Sequence, residues 1–214
     1  MSDKVVTIID YGIGNLYSVQ RAVEMCGAMA RVTSDPDEVE AAGCLILPGV
    51  GAFSDGMRGV REAGLVEPVR RYVAVGKPLL GICLGMQMLA TVSEEFGEHE
   101  GLGLIPGRVI AVPETDVKDV RHKIPHIGWS ALSPSDGISW TDTPLEETAP
   151  GTSVYLVHSY HMNPDDPAHR LAECDYGGRR VTAAIRAGRV FGCQFHPEKS
   201  GPAGLAILRR FLSC

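Results

Sequence analysis

The stretch Lys77-Pro-Leu-Leu-Gly-Ile-Cys-Leu-Gly-Met-Gln-Met-Leu89 decides the fold. It reads as a short apolar strand, a Gly-x-Cys-x-Gly turn and an amphipathic helix. A strand apolar at every position is buried on both faces, which is the habit of parallel sheets sandwiched between helices. The same shape with Ser at its centre is a nucleophile elbow. Gly81 and Gly85 let the chain turn sharply, because neither carries a Cβ. Cys83 then stands above the sheet at a helix N-terminus, where negative charge is favoured and a thiol becomes reactive.

Working outward, the same alternation continues toward the N-terminus. Val5–Ile9 is an apolar run, and Leu16–Cys26 has helical spacing that Gly27 stops. Ala30–Thr33 reads as a strand. Ser34-Asp-Pro-Asp-Glu opens a short helix capped by Ser34 or Asp35. Cys44–Leu47 is a strand running into Pro48-Gly-Val-Gly51, and one helix is expected from about Met57 to Val75. Strand–helix alternation with short loops predicts an α/β fold with a doubly wound, mostly parallel sheet. Its reacting groups gather at the carboxyl ends of the strands, after Ile9, Leu47 and Ile82.

The second half reads differently. Strands are expected at Gly107–Val112, Ile127–Leu132, Val154–Tyr160, Arg170–Tyr176, Arg180–Arg186 and Val190–Phe195, followed by a helix at Gly201–Phe211. Gly177-Gly178 and Ala187-Gly188 are hairpin turns. These strands predict an antiparallel extension on one flank of the sheet. No linker or repeat interrupts the chain, so residues 1–214 are expected to form one domain.

Composition narrows the function classes. A net charge of −6 and the absence of a basic block exclude a broad nucleic-acid footprint. No apolar run approaches ~20 residues, so no membrane span is expected. The opening residues Met1-Ser-Asp lack the pattern of a signal peptide. Cys26, Cys44, Cys83, Cys174, Cys193 and Cys214 contain no C-x-x-C pair. Scattered cysteines of this kind fit reduced thiols in a cytoplasmic protein, with no metal site and no disulfide framework. Five of them read as small buried hydrophobes.

A thiol nucleophile needs a base, and the base needs an orienting group. Gly192-Cys-Gln-Phe-His-Pro-Glu-Lys-Ser200 supplies both: His196 follows a strand, and Glu198, two residues on, can turn back to its imidazole. The third element is Leu47-Pro-Gly-Val-Gly-Ala-Phe53. Its glycines let backbone N–H groups face a cleft, so Val50 N–H with Leu84 N–H can form an oxyanion hole. Asp10-Tyr-Gly-Ile-Gly14 has part of a dinucleotide-binding loop, but Tyr17 stands where a third glycine is needed.

Together these elements resemble the class I, triad-type glutamine amidotransferases, with a flavodoxin-like sheet, over nearly the whole chain. That resemblance implies a glutaminase with Cys83 as nucleophile, His196 as base and Glu198 as its orienter, and no cofactor. Asp10-Tyr-Gly-Ile-Gly-Asn-Leu-Tyr-Ser-Val19, Lys123-Ile-Pro-His-Ile-Gly-Trp129 and Phe195-His-Pro-Glu-Lys-Ser-Gly201 narrow it further. They resemble the glutaminase subunits of imidazole glycerol phosphate synthase in histidine biosynthesis. Those subunits form a heterodimer with a (β/α)8-barrel cyclase that takes the ammonia. By that resemblance Gly49, Gly51, Gln87, Ser159 and Tyr160 hold L-glutamine, and Asn15, Trp129, Tyr155 and Lys199 face the cyclase. Ser130 departs from the usual Asn after Gly-Trp, and His161 from the usual aromatic after His-Ser-Tyr. The glutaminase subunit of pyridoxal phosphate synthase, and a thiol hydrolase on a similar sheet, stand as alternatives.

Overall fold

The computed structural model describes residues 4–213; Met1–Asp3 and Cys214 lie outside the described residues. In chain order the first half is β1 (Val5–Ile9), α1 (Leu16–Met25), β2 (Met29–Thr33), α2 (Pro36–Ala41), β3 (Leu45–Gly49), α3 (Phe53–Glu62), α4 (Val66–Ala74), β4 (Leu79–Cys83) and α5 (Leu84–Met88). There follow β5 (Val92–Ser93), β6 (His99–Glu100), β7 (Gly107–Ala111), β8 (His126–Pro134), β9 (Ser153–His158), β10 (Tyr160–Pro164), β11 (Arg170–Tyr176), β12 (Arg179–Ala187), β13 (Val190–Cys193) and α6 (Gly201–Ser213).

Nine strands form one sheet in the order β2-β1-β3-β4-β13-β12-β11-β8-β9. The first five run parallel, and β13 joins β4 in parallel although it comes last in the chain. From β13 outward every pairing is antiparallel, which is the expected flank. Successive residues of the central strands feed opposite faces. Val6, Ile8, Ile46, Leu80 and Ile82 pack with α1 and α6 residues such as Val19, Val23, Leu208 and Phe211. Ile9, Leu45, Leu47 and Leu79 pack with Phe53, Met57, Val69 and Tyr72 on the other face. This two-sided burial explains the unbroken apolar runs.

Local signals set the boundaries. Asp35 caps α2 by accepting from Asp37 N at 2.8 Å, which selects it over Ser34. Gly27, at φ 85°, ends α1. Gly177 and Gly178 both have positive φ, as a tight hairpin between β11 and β12 requires.

Three expectations are corrected. The helix expected from Met57 to Val75 is two helices, broken at Gly64 with φ 68°. The break puts Pro68 in the first turn of α4, where its missing N–H loses no hydrogen bond. The strand expected at Val154–Tyr160 stops at His158, and the chain changes sheet at Ser159. β10, which begins at Tyr160, pairs with β7 in a separate four-stranded sheet, β10-β7-β5-β6, so Gly107–Ala111 is not part of the flank. The short β5 and β6 carry too few residues for a periodic signal.

Candidate active site

Close backbone approach builds the elbow. Cys83 has φ 54° and ψ −110° between β4 and α5. A non-glycine residue held there stores ~1–3 kcal/mol of strain, a feature that clusters at functional sites. α5 rests on two paired glycines, Gly81 of β4 and Gly192 of β13, with Leu47 of β3 on the other side of Gly81. A Cβ on Gly85 would stand 1.8 Å from Leu47 O, and one on Gly81 would stand 2.7 Å from Gly85 O. The two glycines thus serve the seating of the helix on the sheet. The amphipathic helix expected here is corrected: α5 is five residues long and buried on all sides. So short a helix sums few peptide dipoles, so the groups around the sulfur carry most of the site's electrostatics.

His196 arrives from the neighbouring strand, three residues past the end of β13, and is 2% exposed. Its N–H donates to Tyr155 O at 3.0 Å. Ser200 Oγ donates to His196 O at 2.7 Å and accepts from Tyr155 N at 3.0 Å, locking the loop to β9. His196 Nδ1 lies 2.8 Å from Glu198 Oε1. That leaves Nε2 for Cys83, whose side chain is the largest of the effects that raise the ring. Burial pulls His196 toward neutrality. The hydrogen bonds and charges of Cys83 and Glu198 outweigh it and raise the imidazole to about 9. The proton therefore rests on His196 at neutral pH.

Two further groups steady the strand ends. Tyr11 Oη donates to Pro48 O at 2.7 Å, and a Cβ on Gly49 would stand 2.4 Å from that hydroxyl. Burial, then the Cys83 charge, push the Tyr11 phenol up, so it stays a donor. His158 Nδ1 donates to Tyr160 O at 2.9 Å. His158 Nε2 then accepts from His126 Nδ1 at 3.0 Å, and His126 Nε2 from Ser130 Oγ at 2.9 Å. Burial holds both rings below the ordinary histidine value, His158 at about 3. This neutral chain ties Ser130, beside Trp129, to the loop that carries Ser159 and Tyr160.

A cleft of about 300 Å³ opens over the sulfur, lined among others by Val50, Cys83, Gln87, Glu95, Tyr160 and His196. That size suits a small metabolite. Leu84, Gly51 and Ser159 also line it; Gly49 does not, being buried in β3 under Tyr11 and Leu84. Glu198 stands behind His196, its side chain 1% exposed. Asn15, Trp129, Tyr155 and Lys199 lie outside the cleft. Trp129 is 58% exposed and sits edge-on to Tyr155, its cross-strand partner, with ring centroids 6.1 Å apart. Tyr155 in turn faces the His196 ring at 6.5 Å. His161 is buried, in β10.

Sequence reasoning missed Tyr11, Glu95 and Gln194. Glu95 lines the cleft and accepts from Phe53 N, at the start of α3, at 2.6 Å. Only the folding of a short loop brings it there, and its neighbours Glu94 and Glu98 give no reason to single it out. Among the described residues, no His, Cys, Asp and Glu side chains group to hold a metal ion. No described helix is long and apolar enough to cross a membrane.

Residues 7–214 match the family model for glutamine amidotransferase class-I. The chain belongs to that family. Within it, the imidazole glycerol phosphate synthase subunit HisH 1 of Legionella pneumophila (strain Lens) is 50% identical over 208 residues, 97% of this chain and 98% of the relative. The HisH subunit of Syntrophotalea carbinolica is 47% identical over 211 residues, 96% and 98% of the two chains. By these likenesses the chain falls among the HisH subunits. Among solved structures, that of PurLQS from Thermotoga maritima matches with a TM-score of 0.74 at 19% identity, over 99% of this chain and 98% of that one. A glutamine amidotransferase crystal structure matches at 0.72 with 20% identity, over 97% of both chains. These two likenesses concern the fold.

Proposed function

We propose that the chain is the glutaminase subunit of imidazole glycerol phosphate synthase, hydrolysing L-glutamine at Cys83 and passing ammonia to a (β/α)8-barrel cyclase. The cyclase joins it as a heterodimer and uses the ammonia to make imidazole glycerol phosphate and a carboxamide nucleotide. The carrying observation is Cys83 on a strained elbow, lining a glutamine-sized cleft together with His196, whose Nδ1 is 2.8 Å from Glu198.

The chemistry follows from where the proton sits. The Cys83 sulfur attacks the side-chain amide carbon of glutamine. Val50 and Leu84 N–H groups receive the oxyanion, each such donor contributing ~2.7–4 kcal/mol of transition-state stabilisation. The C–N bond breaks as His196 gives its proton to the departing ammonia, leaving a thioester on Cys83. His196, now neutral, takes a proton from water, and hydroxide attack releases glutamate and returns the sulfur. Glu198 fixes the imidazole tautomer and balances the imidazolium. Gly51, Gln87, Ser159 and Tyr160 frame the substrate, and the Glu95 carboxylate complements its α-ammonium group.

Exposed Trp129, with Tyr155 beneath it, gives the cyclase an aromatic anchor of the kind enriched at interfaces. Asn15 and Lys199 complete that face. The free thiols among the described residues fit a cytoplasmic setting. Co-purification with the cyclase, followed by glutaminase assays with and without the acceptor nucleotide, tests the proposal. It expects a complex whose glutamine hydrolysis rises with acceptor. No complex, or hydrolysis by the lone chain at the full rate of the complex, overturns the partnership.

A further inference from the structure

Gln194 is fully buried between β13 and His196, and no step above uses it. Its Oε1 lies 3.0 Å from Gln87 Nε2, and its Nε2 lies 3.7 Å from Cys83 Sγ, within hydrogen-bonding range for sulfur. The polarity of this chain is fixed at its far end. Gln87 Nε2 is also 3.0 Å from Tyr160 O, a carbonyl that can only accept. The Gln87 group between Tyr160 and Gln194 is therefore its NH2. One hydrogen goes to the carbonyl and the other to Gln194, which must answer with oxygen. The Gln194 NH2 is left facing the sulfur.

We propose that Gln194 is a catalytic residue whose carboxamide donates a hydrogen bond to the Cys83 sulfur, holding it as thiolate before attack and as leaving group when the thioester breaks. This deepens the glutaminase reading and rests on it. A neutral donor suits the place. It stabilises negative sulfur without adding a second cation to repel the proton from His196. The acceptor at Tyr160 O, two hydrogen bonds away, keeps the amide from turning its oxygen toward the sulfur, where lone pairs would oppose each other. The Tyr160 loop that frames glutamine thus also sets the sulfur's donor.

A purely structural Gln194 would shape the pocket and alter KM or stability, but leave the sulfur's reactivity unchanged. Cys83 alkylation by iodoacetamide separates the two. It is followed on the full chain across a pH series by mass analysis of the Cys83 peptide. His196 with Glu198 behind it, Cys193 in β13, and Tyr11 from the loop after β1 also face the sulfur or act on it. They are common to parent and variant, so only differences between the two profiles count. Gln194→Met keeps the volume and removes the donor. It is expected to displace the profile to higher pH and to slow alkylation about tenfold on its acid side, where thiolate is the minor form, as for a lost hydrogen bond to a charged group. Gln194→Glu, which turns an acceptor toward the sulfur, is expected to slow it further. A folded Gln194→Met chain whose profile overlays the parent's overturns the proposal. If that variant does not fold, Gln194→Asn, which keeps a carboxamide but withdraws it by one methylene from the sulfur, serves in its place; slowed alkylation supports the proposal and an unchanged rate overturns it. Absence of glutamine hydrolysis in the parent complex would instead sink the glutaminase reading, with the alkylation comparison still informative on Gln194.

Discussion

At Cys83 and His196 the decisive quantity is where one proton rests. Desolvation alone would leave His196 neutral, yet Cys83 and Glu198 raise it to about 9. Cys83→Ala is therefore expected to abolish glutamine hydrolysis while leaving ammonia-dependent synthesis by the cyclase intact; residual glutaminase activity in that variant removes Cys83 as nucleophile. Glu198→Gln tests the orienter separately. A carboxamide at 2.8 Å from Nδ1 can present NH2 to the ring, which favours the wrong tautomer, and it carries no charge to balance the imidazolium. The expected loss is about 10²-fold or more in kcat with KM little changed, read from steady-state glutaminase kinetics of the complex. A Glu198→Gln complex with parental kcat would leave the carboxylate without a role.

The elements show what the sequence could and could not disclose. The strand–Cys–helix elbow was legible because Gly81 and Gly85 have no other use than close approach. The floor beneath α5 was not, since Gly192 meets Gly81 only through the late arrival of β13 beside β4. His196 and Glu198 were readable as a pair two residues apart, whereas Tyr11 and Glu95 reach the site through loops with no periodicity. The split of α3 from α4 was written in Gly64 and Pro68, and helical spacing across both obscured it. The glycine floor makes a graded prediction. A Cβ on Gly192 would stand 2.7 Å from Met86 Cγ, a side chain that can shift, so Gly192→Ala should cost about 1–3 kcal/mol. On Gly85 the obstacle is the Leu47 carbonyl in the central sheet, at 1.8 Å, which has nowhere to go. Gly85→Ala should be the more damaging, lowering the melting temperature further or leaving no folded chain. Equal melting temperatures for the two variants would mean that α5 is not seated as described.

Across the whole molecule, buried histidines and buried thiols limit stability from opposite ends of the pH range. Burial lowers His158 to about 3, and burial with Arg170 lowers His161 to about 4, from an ordinary 6.5. Below 6.5 the unfolded chain binds the protons these two refuse, so their contribution falls as pH falls toward 4 and 3. His196 adds no opposite limb. Raised to about 9, it holds the one proton it shares with Cys83, and above 6.5 the unfolded chain keeps that proton as well, on the Cys83 thiol, so the pair gives no slope there. Buried Cys174, pushed up to about 12, and Cys193, also pushed up, stay neutral where unfolded thiols ionise, so stability declines on the alkaline side from the ordinary thiol value of 9.0 upward. Urea midpoints should therefore rise up to 6.5, hold level, and fall once the unfolded thiols ionise; a steady fall from 6.5 upward would contradict the shared proton. The proton itself can be followed in the active site. Cys83 is the largest of the effects raising His196, so in Cys83→Ala the imidazole should titrate well below about 9, read by NMR of the histidine ring. A ring that titrates in Cys83→Ala as in the parent would mean that the imidazole is not held charged by the sulfur, and the attack would have to start from a neutral thiol–imidazole pair.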